Sequence, residues 1–357
     1  MMWLKNEEKI KSVFKNSLSL CLSVLAIFCA LRYSKACSDG VIAGLSLCVT
    51  TLVPSLFIFM VIAQYISTRK AIAFISVPLG KIVEKTLNLP KESVSVLILS
   101  LIGGYPIGAR CVATLYECGK LNHEQARKLS LIAVSSGPGF VINFVGSALL
   151  QNKSAGVIVL ASELVAFFVV ALLVGRFVKV NNESVVVKEN RQSTDIVASV
   201  ESACKGCINM CALVIAFTAL VYLCDEVFRN YPSLCKVLSS ILEVTTACTI
   251  LADKYPLYII SAIIGFGGIC VHAQVFSALE NITINKLLFF LCRTIQGITA
   301  GTVTYILLIL FPQSAQVFSS VESAKVGTTT SLAGSVMLVL TAICFLNSIS
   351  KTKLLRR

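Results

Sequence analysis

The sequence predicts an all-α polytopic membrane protein of about eight transmembrane helices, arranged as two inverted repeats that contain broken, re-entrant helices. Three observations predict it. Of 357 residues, 56% are hydrophobic and only 14% charged, against roughly 25% charged in a soluble domain. Uncharged windows near the roughly 20 residues that a bilayer core demands recur along the whole chain. Two of these windows are interrupted by glycine clusters with similar surroundings.

The mean hydropathy of +0.84 argues against a cytosolic enzyme, because so few charges cannot keep a soluble surface wet. The net charge is +13, from 31 Lys+Arg against 18 Asp+Glu. The basic residues flank apolar runs and do not form one patch, which is the positive-inside bias and not a nucleic-acid footprint. Most of the 15 cysteines lie inside apolar runs, Cys21, Cys29, Cys48, Cys224, Cys292 and Cys344 among them, where a thiol packs as a small hydrophobe. Cys204, Cys207 and Cys211 share one helical face, but no fourth ligand is near in the sequence, so packing is expected there and no metal site. No cofactor is called for.

The elements follow in order. Lys5, Lys9, Lys11 and Lys15 precede the apolar window 16–31, read as an uncleaved first membrane helix because Lys35 intrudes where a signal peptide would be cut. Further windows run 40–68, 93–109, 129–152, 154–178, 206–224, 255–279, 294–321 and 326–350, with weaker amphipathic stretches at 71–88 and 234–251. Basic residues lead the chain, fill the polar stretch 179–195 (Arg176 and Lys179 at its edge, Lys188 and Arg191 within) and close the chain (Lys351, Lys353, Arg356, Arg357). All three places are expected in the cytoplasm. Both termini inside requires an even number of crossings, and eight results when 234–251 is counted as one. The organisation read from this is a basic N-terminus with the first helix (1–40), a first repeat (41–178), a cytoplasmic linker with the start of the next helix (179–205), a second repeat (206–348) and a basic tail (349–357).

The first break is Gly103-Gly104-Tyr105-Pro106-Ile107-Gly108, with Arg110 after it; the second is Gly265-Phe266-Gly267-Gly268, with His272 and Gln274 after it. Ser135-Ser136-Gly137-Pro138-Gly139 makes a third. Glycine and proline in mid-span interrupt the backbone ladder, and such backbone survives at membrane depth only beside protein or a wet cavity. Three crossings separate the starts of the two repeats, so the second is inverted, and paired interruptions in inverted halves point to a midplane binding site. Glu243, followed by Thr245 and Thr246, offers a carboxylate and two hydroxyls to a cation or polar solute; if 234–251 lay at the interface, Glu243 would simply be solvated. Glu163 falls mid-span and must face the bundle interior, a partner or water. Arg293 and Gln296, at the head of the 294–321 window, are expected to snorkel. Glu201 and Lys205 are spaced as a helix-surface pair. The competing reading of the glycines and serines is close helix packing and bonding across helices.

No Walker A run, HExxH or GxSxG occurs, and there are two histidines; the expectation is not an enzyme. The partners implied are the lipid bilayer and a small polar or ionic solute, with no nucleic acid; the composition is compatible with a homo-oligomer. The site residues expected are Gly103, Gly104, Tyr105, Pro106, Gly108, Ser135, Ser136, Gly137, Pro138, Glu243, Thr245, Thr246, Gly265, Gly267, Gly268, His272 and Gln274. Two other readings stay open: a membrane scaffold without transport, and a membrane-embedded enzyme using Glu243 with His272.

The four motifs Gly104–Arg110, Ser135–Phe140, Glu243–Thr246 and Gly265–Gln274 resemble, in that order, those of the YlbJ-type sporulation integral membrane proteins. Members of that family carry a nucleoside recognition or Gate domain, similar to regions of concentrative nucleoside transporters and ferrous iron transporters. The resemblance implies a multi-pass protein of the cytoplasmic membrane in a spore-forming Gram-positive bacterium, with a role in spore formation around the cortex.

Overall fold

The computed structural model describes residues 23–67, 71–180, 196–252 and 254–311, together with Ser17, Leu20 and Cys21. The regular elements among the described residues are all helices, joined by turns, with no strand. The helices are α1 (Ser23–Arg32), α2 (Ser34–Leu47), α3 (Val53–Ser67), α4 (Ala71–Leu87), α5 (Ser93–Gly103), α6 (Ile107–Glu117), α7 (His123–Ile132), α8 (Lys153–Phe177), α9 (Ile196–Val227), α10 (Pro232–Leu242), α11 (Val244–Leu251), α12 (Leu257–Phe266), α13 (Gly268–Ala278) and α14 (Lys286–Leu310). Two π-helical stretches join them: Cys48–Leu52 between α2 and α3, and Gly139–Leu149 before α8.

By length and composition, five stretches of the described residues can cross a bilayer: Ser34–Ile66, Lys153–Phe177, Ile196–Val227, Leu257–Ala278 and Lys286–Leu310. Their outward faces carry large apolar side chains, among them Phe168, Leu172, Ile298 and Ile309. In water such a surface would be untenable, and in hydrocarbon it is the required one. The chain is thus a helical, multi-pass membrane protein.

Small residues bring the long helices together. α2 lies on α9 through Gly40 and Gly44, where an added Cβ would stand 2.7 Å from the Ala219 Cα and 2.8 Å from the Ile215 Cα. α12 lies on α14 through Gly265 and Gly297, and the buried Thr304 hydroxyl bonds Ser261 Oγ across the same seam at 2.8 Å. The π-helix Gly139–Leu149 meets α8 through Gly146 and Gly156. Lipid tails are as apolar as leucine, so close backbone approach and cross-helix hydrogen bonds, not burial of apolar area, drive such packing.

Apart from α4, which stands between α3 and α5 with no counterpart after α9, the two described halves run in one order: a long helix, a short packed pair, a broken segment and a long helix. The packed pairs are α5 with α6 and α10 with α11. At 1.5 Å per residue, helices of 11, 11, 11 and 8 residues are about 12–16 Å long, roughly half a 30 Å hydrocarbon core. The broken segments are α7 with the π-helix after it, and α12 with α13.

Two expectations change. Residues 234–251 do not form one crossing helix: extended backbone at Glu243 (φ −142°, ψ 116°) splits them into α10 and α11, neither long enough to span. The 294–321 window begins earlier, at Lys286, because Arg293 is compensated inside the protein and does not end the apolar run; it is buried and does not snorkel. The pair Lys205–Glu201 forms as expected, at 2.8 Å on an exposed surface. The window 326–350, the basic tail and most of the linker lie outside the described residues.

Candidate functional site

The first two motifs meet through bare backbone. α5 ends at Gly104, whose φ of +75° favours glycine. Its N–H donates to the Ser100 carbonyl at 3.0 Å and its carbonyl accepts from the Ile107 N–H at 3.0 Å, which starts α6. A Cβ on Gly104 would lie 2.7 Å from the Gly137 nitrogen, and one on Gly137 would lie 2.9 Å from the Gly104 nitrogen. Gly108 lies against the Ala133 carbonyl and Ser100 with no room for a side chain.

The fourth motif is a helix break whose freed carbonyls are taken by side chains. Gly267 and Gly268 have φ of +83° and +72°, which ends α12 and starts α13 in a new direction. The Ile264 carbonyl accepts from the Tyr105 hydroxyl at 3.0 Å, and the Phe266 carbonyl pairs with His272 Nε2 at 2.9 Å. Phe266, Phe289 and Phe290 enclose the His272 ring edge-on, with centroids 4.9, 5.3 and 4.7 Å away. Buried backbone groups must find partners, and here motif one and motif four supply them.

Glu243 is buried, at 1% exposure, and not solvated. Its Oε1 accepts from the Thr245 N–H at 3.0 Å and its Oε2 from the Thr246 N–H at 2.6 Å. It therefore caps α11, its negative charge set against the positive end of that helix. This is why the chain can break at Glu243 without glycine or proline.

The four motifs converge on one cavity of about 30 Å³, lined by Gly104 and Tyr105, Gly137, Glu243 and Thr245, and Gln274, with Leu52, Leu56, Phe140 and Met210 among its apolar walls. A buried water needs about 10–15 Å³, so this conformation has room for two waters or a bare ion. The polar lining offers the unused lone pairs of the Glu243 carboxylate, the Thr245 hydroxyl and the Gln274 amide, whose Nε2 lies 3.4 Å from Cys270 Sγ. Such a set suits a cation or a hydrogen-bond donor.

Not every expected residue reaches it. His272 and Thr246 are not among the lining residues; His272 faces α14 and Thr246 gives only its N–H. Gly103, Pro106, Gly108, Ser135, Ser136, Pro138, Gly265, Gly267 and Gly268 also lie outside the lining and shape the breaks and seams around it.

A second polar cluster sits nearby. Arg293, at 1% exposure, donates from Nη2 to the Leu131 carbonyl at 2.6 Å and from Nη1 to the carbonyl of Val134 and to Gln296 Oε1. Gln296 Nε2 in turn donates to Glu163 Oε2 at 3.4 Å. The carbonyls freed at the end of α7, just before the second motif, are thus satisfied from α14, 160 or so residues on. The spacing of Arg293 and Gln296, three residues apart, was the only available sign that they act together.

No protein-family model and no solved structure matches the chain. Among curated proteins it is similar to the sporulation integral membrane protein YlbJ of Bacillus subtilis (strain 168), with 22% identity over 346 residues, covering 85% of this chain and 84% of that one. The resemblance read from the four motifs is thereby borne out: this helical membrane protein is similar, along most of its length, to a sporulation integral membrane protein of the YlbJ type.

Proposed function

We propose that this is a transporter-like protein of the cytoplasmic membrane that binds and moves a small polar or ionic solute during spore formation, with no covalent chemistry. One observation carries the reading: residues from all four motifs, two in each half, line a single cavity. The shared order of long helix, packed pair, broken segment and long helix supports two Gate-like repeats, 41–178 and 206–348. In this reading α7 with the π-helix after it counts as a third crossing of the first repeat beside the two long spans, and three crossings invert the second repeat. Residues 234–251 enter as a turned-back pair without crossing, so the count of eight no longer draws on them, and both termini in the cytoplasm stays part of this reading. The two packed pairs dip from opposite sides and meet at the midplane, where rocking of one half against the other alternates access.

The test is thermal stability of the purified protein in detergent against nucleosides, dipicolinate, amino acids, peptidoglycan precursors and metal ions. A ligand that binds only the folded state stabilises it by about 2.7 kcal/mol at 100 times its dissociation constant. We expect a shift for one class, lost in Glu243→Gln and Gln274→Ala, and flux of that class in liposomes. No shift in well-folded protein, together with co-purification of a stable partner, overturns the transport reading in favour of a scaffold.

A further inference from the structure

We propose that Glu163 is a proton-binding site at the centre of the molecule, and that loss of its proton draws Arg293 away from the carbonyls of Leu131 and Val134. The site stands on its own geometry; its use as the coupling-ion site rests on the transport reading above.

Glu163 lies in the middle of α8 and is 0% exposed. Its Oε2 accepts one long hydrogen bond, 3.4 Å from Gln296 Nε2. Neither its Oε1 nor the buried hydroxyl of Ser136 has a partner in hydrogen-bond geometry, although Ser136 stands close enough to act on the carboxyl. Among the described residues, the recorded ion pairs are Glu124–Arg127, Glu201–Lys205 and Glu226–Arg229, and Glu163 belongs to none of them. An ionised carboxylate left this way in a membrane interior is costly enough that the group neutralises instead.

The groups that face Glu163 favour a proton over a metal cation. Within electrostatic reach of it are Arg293 and Gln296 of α14, Ser136 of the turn after α7, Tyr105 of the turn between α5 and α6, and Cys248 of α11. Lys128 of α7 points elsewhere, to the Gly175 carbonyl at 3.3 Å. α4, α12 and the π-helix Gly139–Leu149 present no charged group to it. A hard metal cation wants about six oxygens, and the two backbone carbonyls nearest the turn already accept from Arg293.

With the proton on Oε1, the Glu163 hydroxyl faces Ser136 and Arg293 stays on the two carbonyls. When that O–H bond breaks, the proton passes to water and the negative charge stays on Glu163. The guanidinium then has a carboxylate to pair with, one step along the Gln296 bridge. Its departure frees the turn that holds Gly137, which lines the cavity. Proton and solute are thereby read by the same short segment.

The experiment is infrared spectroscopy of the full chain in lipid across a pH series. We expect the band of a protonated carboxylic acid at neutral pH, absent in Glu163→Gln, retained in Glu243→Gln, shifted in Ser136→Ala and lost in wild type on alkalinisation. Absence of the band from wild type, or its persistence in Glu163→Gln, overturns the proposal. If Glu163→Gln does not fold, the Ser136→Ala shift decides in its place. Loss of the wild-type band on adding sodium at fixed pH makes the occupant a cation and overturns the proton. A band that behaves as expected in a protein that moves no solute leaves the site standing and removes the transport reading alone.

Discussion

The turn between α5 and α6 and the turn between α10 and α11 solve one problem in two ways. Each leaves backbone groups without helical partners inside the protein, where they must find other partners. The first turn relies on shape: Gly104, in a left-handed conformation, sits against the backbone of Gly137, and Tyr105 reaches across to the Ile264 carbonyl. The second relies on charge: one carboxylate takes the two N–H groups that open α11. A turn held by shape tolerates no added atom but ignores its electrostatic surroundings. A turn held by charge admits a larger side chain but answers to any ion that enters the cavity.

That contrast can be broken or sharpened by substitution. The largest effect is expected for Gly104→Ala, which adds a left-handed penalty of about 1–2 kcal/mol to overpacking of about 1–3 kcal/mol. The thermal midpoint in detergent should fall steeply or the protein should fail to accumulate; an unchanged midpoint would remove shape as the explanation of the first turn. Glu243→Ala is next, with loss of about 0.5–2 kcal/mol from the cap and loss of the ligand-induced shift in the same assay. Tyr105→Phe should cost about 0.5–1.5 kcal/mol, seen as faster amide exchange at the α12–α13 break. The smallest effect is expected for Glu243→Gln. It keeps an acceptor for one N–H, so stability should change by less than in Glu243→Ala, while ligand response is lost. Equal stability losses in the two Glu243 variants would show that the charge itself holds the second turn.

Much of this was legible in the sequence, because glycine and proline announce their own effects. The breaks at Gly103–Gly108 and Gly265–Gly268 fall where the sequence puts them, and so does the turn at Ser135–Pro138. The break at Glu243 was not legible. No glycine or proline marks it, and a cap inside an apolar stretch reads as a polar residue in a helix. Arg293 was misread for a related reason. Its charge looks like a membrane boundary until the carbonyls it satisfies, in a segment far away in sequence, are seen beside it. The convergence of Gly104, Gly137, Glu243 and Gln274 followed the paired interruptions, whereas the turn of His272 toward three phenylalanines is a tertiary fact.

The π-helical stretches Cys48–Leu52 and Gly139–Leu149 have a mechanical consequence. Each holds more residues per turn than an α-helix does. Tightening one such turn to α geometry displaces a residue along the helix by about 1.5 Å and swings the next stretch by about 100°. Leu52 ends the first stretch and Phe140 is the second residue of the other, and both wall the cavity. A winding change of one residue would therefore turn a bulky apolar side chain into or out of the cavity like a cam, while the long helices stay in their seams.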